Sequence, residues 1–312
     1  MNEQIKIILD EIQKVIIGKQ DVIEKLLMSI FAKGHILLDD VPGVGKTSMA
    51  LAISRALGLQ YRRIQFTPDV LPSDITGFSI YNKNSGAFDY MPGVVNNANI
   101  LLGDEINRTS SKTQSALLEA MEEGQVTVDG KTHPLQEPFI VIATQNNVGT
   151  AGTQLLPYAQ LDRFLIRLSV GYPDFNSQME IIRDRQKINP LDKIKQVCSK
   201  DDVLRIQSGV NEIEVKDSIL AYITQIVIAS RNNPMIELGI SPRGAIFICR
   251  MAKAHAYLMG RNHVVPDDVQ SVLGDVCAHR IILSQRAKMQ QITTDHVLKK
   301  ILEGVKVPNG VM

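Results

Sequence analysis

A doubly wound α/β domain followed by a helical one is the fold class this sequence predicts, on three observations. Short apolar runs without polar alternation, such as Ile36-Leu37-Leu38 and Ile100-Leu101-Leu102, recur among helical patterns over residues 1–172. Strands of that kind are buried on both faces, as in a parallel sheet sandwiched by helices. A glycine-containing turn leads from the first run into a helical stretch, the strand–helix–strand order of such layers. From about residue 173 the strand pattern stops and apolar residues recur at helical spacing.

Length agrees with that division, since 312 residues suggest two domains at roughly 100–200 residues each. A chain this long buries about 75% of its unfolded surface and needs no disulfide or metal to hold a core. Hydrophobic residues are 44% and charged residues 21%, which excludes a wholly disordered or collagen-like chain. Lys+Arg 34 against Asp+Glu 33 leaves a net charge of +1, so no general electrostatic grip on nucleic acid is expected. Cys198, Cys249 and Cys277 form no C-x-x-C and read as buried apolar thiols in a reducing compartment. The six histidines have no metal-ligand spacing. The first twenty residues mix charges with apolar residues, and every apolar run is far short of the ~20 residues of a spanning helix. A soluble, cytoplasmic chain without membrane insertion is expected.

In chain order, residues 4–15 and 19–32 read as helices, with Ile5, Ile8, Leu9 and Ile12 on one face of the first. A strand at 35–40 precedes the turn and a helix at 46–57. Further strands are expected at 61–66, 99–104, 138–143 and 164–170. Two insertions read as β-hairpins. Residues 78–95 hold two aromatic runs around the turn-forming Asn82-Lys83-Asn84-Ser85-Gly86, and residues 125–135 alternate Val126 and Val128 up to Asp129-Gly130. In the second domain, 173–312, a helix stripe runs through Ile219, Ile223, Ile226 and Val227. Ser241-Pro242 reads as an N-cap followed by Pro at N1, opening a helix to about Gly260. Pro266-Asp267-Asp268 opens another, and Thr293 or Thr294 caps the last.

The chemistry lies at the turns. Pro42-Gly43-Val44-Gly45-Lys46-Thr47 stands between a buried strand and a helix, as a phosphate-binding P-loop requires. Gly43 and Gly45 let backbone amides converge, and the helix adds its N-terminal dipole. Lys46 reaches the β- and γ-phosphates in this reading, Thr47 ligates Mg²⁺, and Ser48 completes the phosphate-binding set. Asp40 stands where the strict motif has its first glycine. Asp104 and Glu105 end an apolar strand at the crevice where open α/β sheets bind ligands. Asp104 is the candidate Mg²⁺ holder and Glu105 the candidate general base. Asn146 ends another buried strand and is placed to hydrogen-bond a γ-phosphate or an attacking water.

With these motifs in place, the chain resembles the MoxR family of AAA+ ATPases. The resemblance runs through VIIGKQDVIEKLL, GHILLDDVPGVGKT, RIQFTPDVLPSDITG, LLGDEINR, QSALLEAMEEGQVTVDG, PFIVIATQN, LPYAQLDRF and SPRGA, essentially the whole chain. It implies an αβα core with sheet order 5-1-4-3-2 and an all-helical lid. It also implies ATP hydrolysis, with ATP and Mg²⁺, between subunits of a ring that is usually a hexamer. A chaperone-like role on partners, often carrying von Willebrand factor A domains, goes with it. The hairpins correspond to the helix-2 and pre-sensor-1 inserts. Asp40 is ordinary in this family's P-loop. By the same resemblance Arg163 is the arginine finger that reaches the neighbour's γ-phosphate and Arg243 is sensor 2, on its own subunit's nucleotide or a neighbour's, while Arg108 is a candidate interface residue. Ile16, Ile17 and Gly18 line the adenine pocket. The chain departs from the family pattern at Asn147, Tyr158 and Val94, near the expected subunit interface. Two other function classes share parts of the pattern. Intact Glu105 and Arg163 favour hydrolysis over a nucleotide-gated interaction module with negligible turnover. Near-zero charge and the lack of a helix-turn-helix pattern weigh against a DNA-acting AAA+ motor.

Overall fold

The computed structural model describes residues 1–146, 156–184 and 190–308, so Asn147 lies outside the described residues. Five parallel strands build the central sheet: β1 (Ile36–Asp39), β2 (Tyr61–Gln65), β3 (Ile100–Asp104), β4 (Ile140–Gln145) and β5 (Ile166–Leu168). Their spatial order is β2-β3-β4-β1-β5, which from the other edge is the expected 5-1-4-3-2. In register, Ile36 faces Ile142 of β4 and Ile166 of β5, and Ile100 faces Ile140. β4 starts two residues later than the sequence pattern suggests, since Pro138 has no N–H for the ladder. β5 is shorter than expected because backbone groups beyond its end have other partners. The Gly171 N–H donates to the Asp40 carboxylate at 2.6 Å, and the carbonyls of Phe164 and Leu165 accept from Arg280.

Period-2 alternation sends successive strand residues to opposite layers. Ile36, Leu38, Ile100, Leu102, Ile140 and Ile142 join one core, while Leu37, Leu101, Val141 and Ala143 join the other. Both sets are buried, so the continuous apolar runs have a direct physical cause. Each Leu, Ile or Val among them contributes about 1.5–3 kcal/mol, and Leu101→Ala is expected to cost about 2–5 kcal/mol. The first layer is covered by α1 (Glu3–Gln13), α2 (Gln20–Phe31) and α3 (Lys46–Ala56), and the second by α4 (Ser111–Glu123). His35, just before β1, ties the layers together. Its Nδ1 accepts from the Val141 N–H at 3.0 Å, and its Nε2 donates to the Met121 carbonyl at 2.9 Å.

The C-terminal part carries α5 (Phe175–Asp184), α6 (Lys200–Asn211), α7 (Asp217–Arg231), α8 (Pro242–Leu258), α9 (Pro266–Cys277) and α10 (Thr294–Gly304). Its described residues also include a short antiparallel ribbon, Ile236–Leu238 with Ile282–Leu283, so this part is not all-helical. Ser199 and Asp202 form a capping box at the start of α6, and Thr293 caps α10 by accepting from the His296 N–H at 3.2 Å. Its apolar faces share the core of α1–α3. Cys198 and Cys277 are buried there, whereas Cys249 is only half-buried. Both insertions are hairpins: Gly77–Asn82 pairs with Ala87–Pro92, and Gln125–Val128 with Lys131–Pro134. Tyr90 of the first stacks on His133 of the second, ring centroids 3.7 Å apart and planes 13° apart, so the two inserts touch.

Candidate active site

The C-terminal ends of β1, β3 and β4 open on one cleft of about 630 Å³. Its lining includes Ile16, Ile17, every residue from Pro42 to Ser48, Asp104, Glu105 and Asn146. Gly43 and Gly45 take φ of +86° and +95°, the left-handed region that favours glycine, and a Cβ added at either would meet no atom within 4 Å. The loop therefore presents a backbone cradle to open space. Gly45 caps α3 without any side-chain hydrogen bond, which leaves the first-turn N–H groups available to an anion. A phosphate chain fits this cradle.

Lys46 is buried, and its Nζ donates to the Asp40 carbonyl at 2.8 Å. Burial pulls its pKa down, and the nearby Asp40, Asp104, Asp39 and Glu105 partly offset this. Asp40 acts through its side chain as well. Its carboxylate accepts from the N–H groups of Val41 and Gly171 and from the Ser169 hydroxyl. Burial raises its pKa, but these hydrogen bonds outweigh that and leave it lowered. An acid in the first-glycine position thus fastens the start of the loop to the end of β5.

The acidic pair is held differently at its two members. Asp104 Oδ1 accepts from the Thr144 hydroxyl at 2.8 Å, and Oδ2 accepts from Arg63 Nη2 at 2.8 Å. Glu105 sits at φ +56°, uncommon for a side-chain-bearing residue, and its N–H donates to Thr144 Oγ1 at 2.9 Å. Its Oε2 accepts from Gln65 Nε2 at 3.0 Å and from Arg108 Nη1 at 2.9 Å. Asn146 is buried, and its carbonyl accepts from Asn107 Nδ2 at 3.0 Å. Sequence reasoning missed Arg63, Gln65 and Thr144. Gln65 was findable, since it is a polar residue at the C-terminal end of a sheet strand, the rule that singles out Asp104 and Asn146.

Other expected residues lie elsewhere. Gly18 does not line this cleft. At φ +71° it backs onto α5, where a Cβ would come within 2.1 Å of Ser177 Oγ. Arg163 and Arg243 do not line it either. Arg163 Nη1 donates to the Leu118 carbonyl at 2.8 Å and pairs with Glu122 Oε2 at 3.2 Å, while Arg243 Nη2 pairs with Glu122 Oε1. Their neighbours cause this convergence. Asp162 accepts from Ser241, the N-cap of α8, at 3.0 Å and from the buried Arg280 at 2.8 Å. That joins the core segment bearing Arg163 to the lid helix bearing Arg243. Of the departures from the family pattern, Tyr158 is exposed at the start of a short helix, Tyr158–Leu161. The Val94 N–H donates to the Asp74 carbonyl at 3.0 Å.

Comparison with known proteins agrees with this architecture. The model of the ATPase family associated with various cellular activities matches residues 35–166, and that of the AAA lid domain matches residues 228–301. The chain is 48% identical to the uncharacterized protein YeaC of Bacillus subtilis (strain 168), covering 96% of this chain and 93% of that one. It is 39% identical to chaperone MoxR1 of Mycobacterium tuberculosis, covering 96% and 81%. A crystal structure of a protein assigned as an ATPase from Cytophaga hutchinsonii superposes with a TM-score of 0.90 at 39% identity, covering 98% and 95%. No described helix is long and apolar enough to cross a membrane.

Proposed function

The chain belongs to the MoxR family of AAA+ ATPases, and from that premise we propose that it hydrolyses MgATP at sites shared between the subunits of a ring. The cycle then drives a chaperone-like remodelling of partner proteins. One observation carries the reading: Lys46, Asp104 and Glu105 line the cleft, whereas Arg163 and Arg243 lie outside it on Glu122. A hydrolytic site needs cations where charge develops on the γ-phosphoryl group. Within one subunit the cleft has Lys46 at the phosphate loop and Lys19 bonded to the Tyr172 carbonyl, and the two arginines are best supplied to it by a neighbour.

In this reading Lys46 and the uncapped amides of α3 grip the phosphates, with Ile16 and Ile17 against the base. Thr47 and Asp104 would hold Mg²⁺, which would supply charge neutralisation to the phosphates. Glu105 takes the proton of the attacking water, which Asn146 helps orient. Gln65 and Arg108 hold the Glu105 carboxylate in place. Arg163 and Arg243 of one subunit stabilise the γ-phosphoryl group bound by the next. A hexamer, a cytoplasmic location and partners bearing von Willebrand factor A domains are the assembly and setting that the family resemblance favours.

The test is ATP turnover measured against protein concentration and Mg²⁺, with assembly followed by mass. Turnover per subunit is expected to rise steeply as rings form and to collapse in EDTA. Constant turnover per subunit in confirmed monomers would contradict the shared site.

A further inference from the structure

We propose that Glu122 is a positioning residue for hydrolysis: its carboxylate holds Arg163 of the core and Arg243 of the lid as one cationic pair. The inference rests on the shared-site reading above.

Glu122 stands in the last turn of α4, a helix end with no basic residue of its own. An acid is disfavoured there, because the helix dipole places negative charge at the C-terminus. The position therefore calls for an external cation, and two arrive, one on each carboxylate oxygen. Left alone, two guanidinium groups brought this close repel each other, and the shared carboxylate offsets that repulsion. The Leu118 carbonyl, one turn back on the same helix, fixes Arg163 by a second bond at 2.8 Å. α4 thus presents both an acceptor carbonyl and a carboxylate to the arginines. Arg163 and Arg243 are 80 positions apart in sequence and belong to different parts of the fold, yet their guanidinium groups share Glu122. Because Arg243 rides on the lid and Glu122 on the core, the bridge also makes arginine placement sensitive to lid position. Glu122 does not line the cleft. Its effect passes through the two arginines.

The experiment is Glu122→Gln in the full chain, which keeps the shape of the side chain and removes its charge. Misplacing a catalytic group by about 1 Å costs on the order of 10²-fold in rate. We expect kcat to fall by about 10–100-fold while KM for ATP moves less than about threefold, since ground-state binding belongs to the cleft. Glu122→Asp should recover part of the loss. Mixed rings, confirmed by mass, give the readout that a merely structural role would not produce. Glu122→Gln should be rescued by Lys46→Ala, whose arginines are intact, and should not be rescued by Arg163→Ala. An unchanged or raised kcat in Glu122→Gln would overturn the proposal. So would failure of Lys46→Ala to rescue it in rings where Lys46→Ala does rescue Arg163→Ala. If Arg163→Ala itself is not rescued, the shared-site reading falls and takes this proposal with it.

Discussion

The cleft at the strand ends and the arginine face on α4 are built by opposite logics. The candidate reactive residues of the cleft come from short contiguous segments: seven residues from Pro42 to Ser48, then Asp104-Glu105, then Asn146. The arginine face assembles single residues from three distant places, Glu122, Arg163 and Arg243. The cleft uses backbone amides, which any sequence that permits the turn can supply. The arginine face is made of charged side chains, steadied by one backbone carbonyl, and its geometry depends on how core and lid dock. In the proposed cycle, binding would then rest on a few local motifs, and charge stabilisation on the docking of core and lid.

Breaking the cleft should have the largest effect. Lys46→Ala removes the side-chain cation of the cradle, so calorimetry should find tight ATP binding lost while the melting temperature holds. Affinity within a few-fold of the parent would contradict the P-loop assignment. Glu105→Gln keeps ATP binding and should lose on the order of 10²–10⁴ in turnover, the weight of a positioned general base. Rapid-quench single turnovers check this, and near-normal hydrolysis would move water activation to another group.

The arginine face should respond in stability as well as in rate. Asp162→Ala strips the buried Arg280 guanidinium of its acid and frees Ser241, loosening the joint that aligns Arg163 with Arg243. A loss of about 3 kcal/mol in denaturant unfolding is expected, as when one partner of a buried pair is removed. Turnover should fall with it, and an unchanged unfolding midpoint would contradict the joint.

His35, just before β1 at the end of the strand away from the cleft, has a pKa that burial pushes down to about 4 from an ordinary 6.5. The unfolded chain then binds more protons than the folded one between those values. The His35 contribution is complete above pH 6.5 and is lost as pH falls toward 4, by about 3 kcal/mol. Unfolding free energy measured from pH 7 to 4 should show that slope, and His35→Gln should flatten it. An unaltered slope would assign the acid sensitivity elsewhere.

What was legible in the sequence follows the same division. Buried strands announce themselves as unbroken apolar runs, so Ile36-Leu37-Leu38 and Ile100-Leu101-Leu102 indicated both the layer and the strand ends near which Lys46, Asp104 and Asn146 line the cleft. Gly18 sits in a contiguous motif too, but its glycine answers to Ser177 across the chain, which no local pattern reveals. The ribbon at Ile236–Leu238 and Ile282–Leu283 is too short to leave a period. Glu122 was hidden for another reason. As an acid on an exposed-looking helix end it reads as solvated surface, and only the docked lid brings Arg243 to it. Its one local signal was the mismatch between an acid and a helix C-terminus.

The central claim is that the cleft of one subunit is completed by the arginine face of the next. Mixing Arg163→Ala with Lys46→Ala tests it most directly, with subunit exchange confirmed by mass. Each parent should be nearly inactive, since an arginine finger supplies ~10³–10⁵ in rate. Mixed rings should regain part of the activity, because an intact cleft on the Arg163→Ala subunit can face an intact Arg163 on its neighbour. No recovery at any mixing ratio, with both parents folded and mixed rings present, would contradict the account.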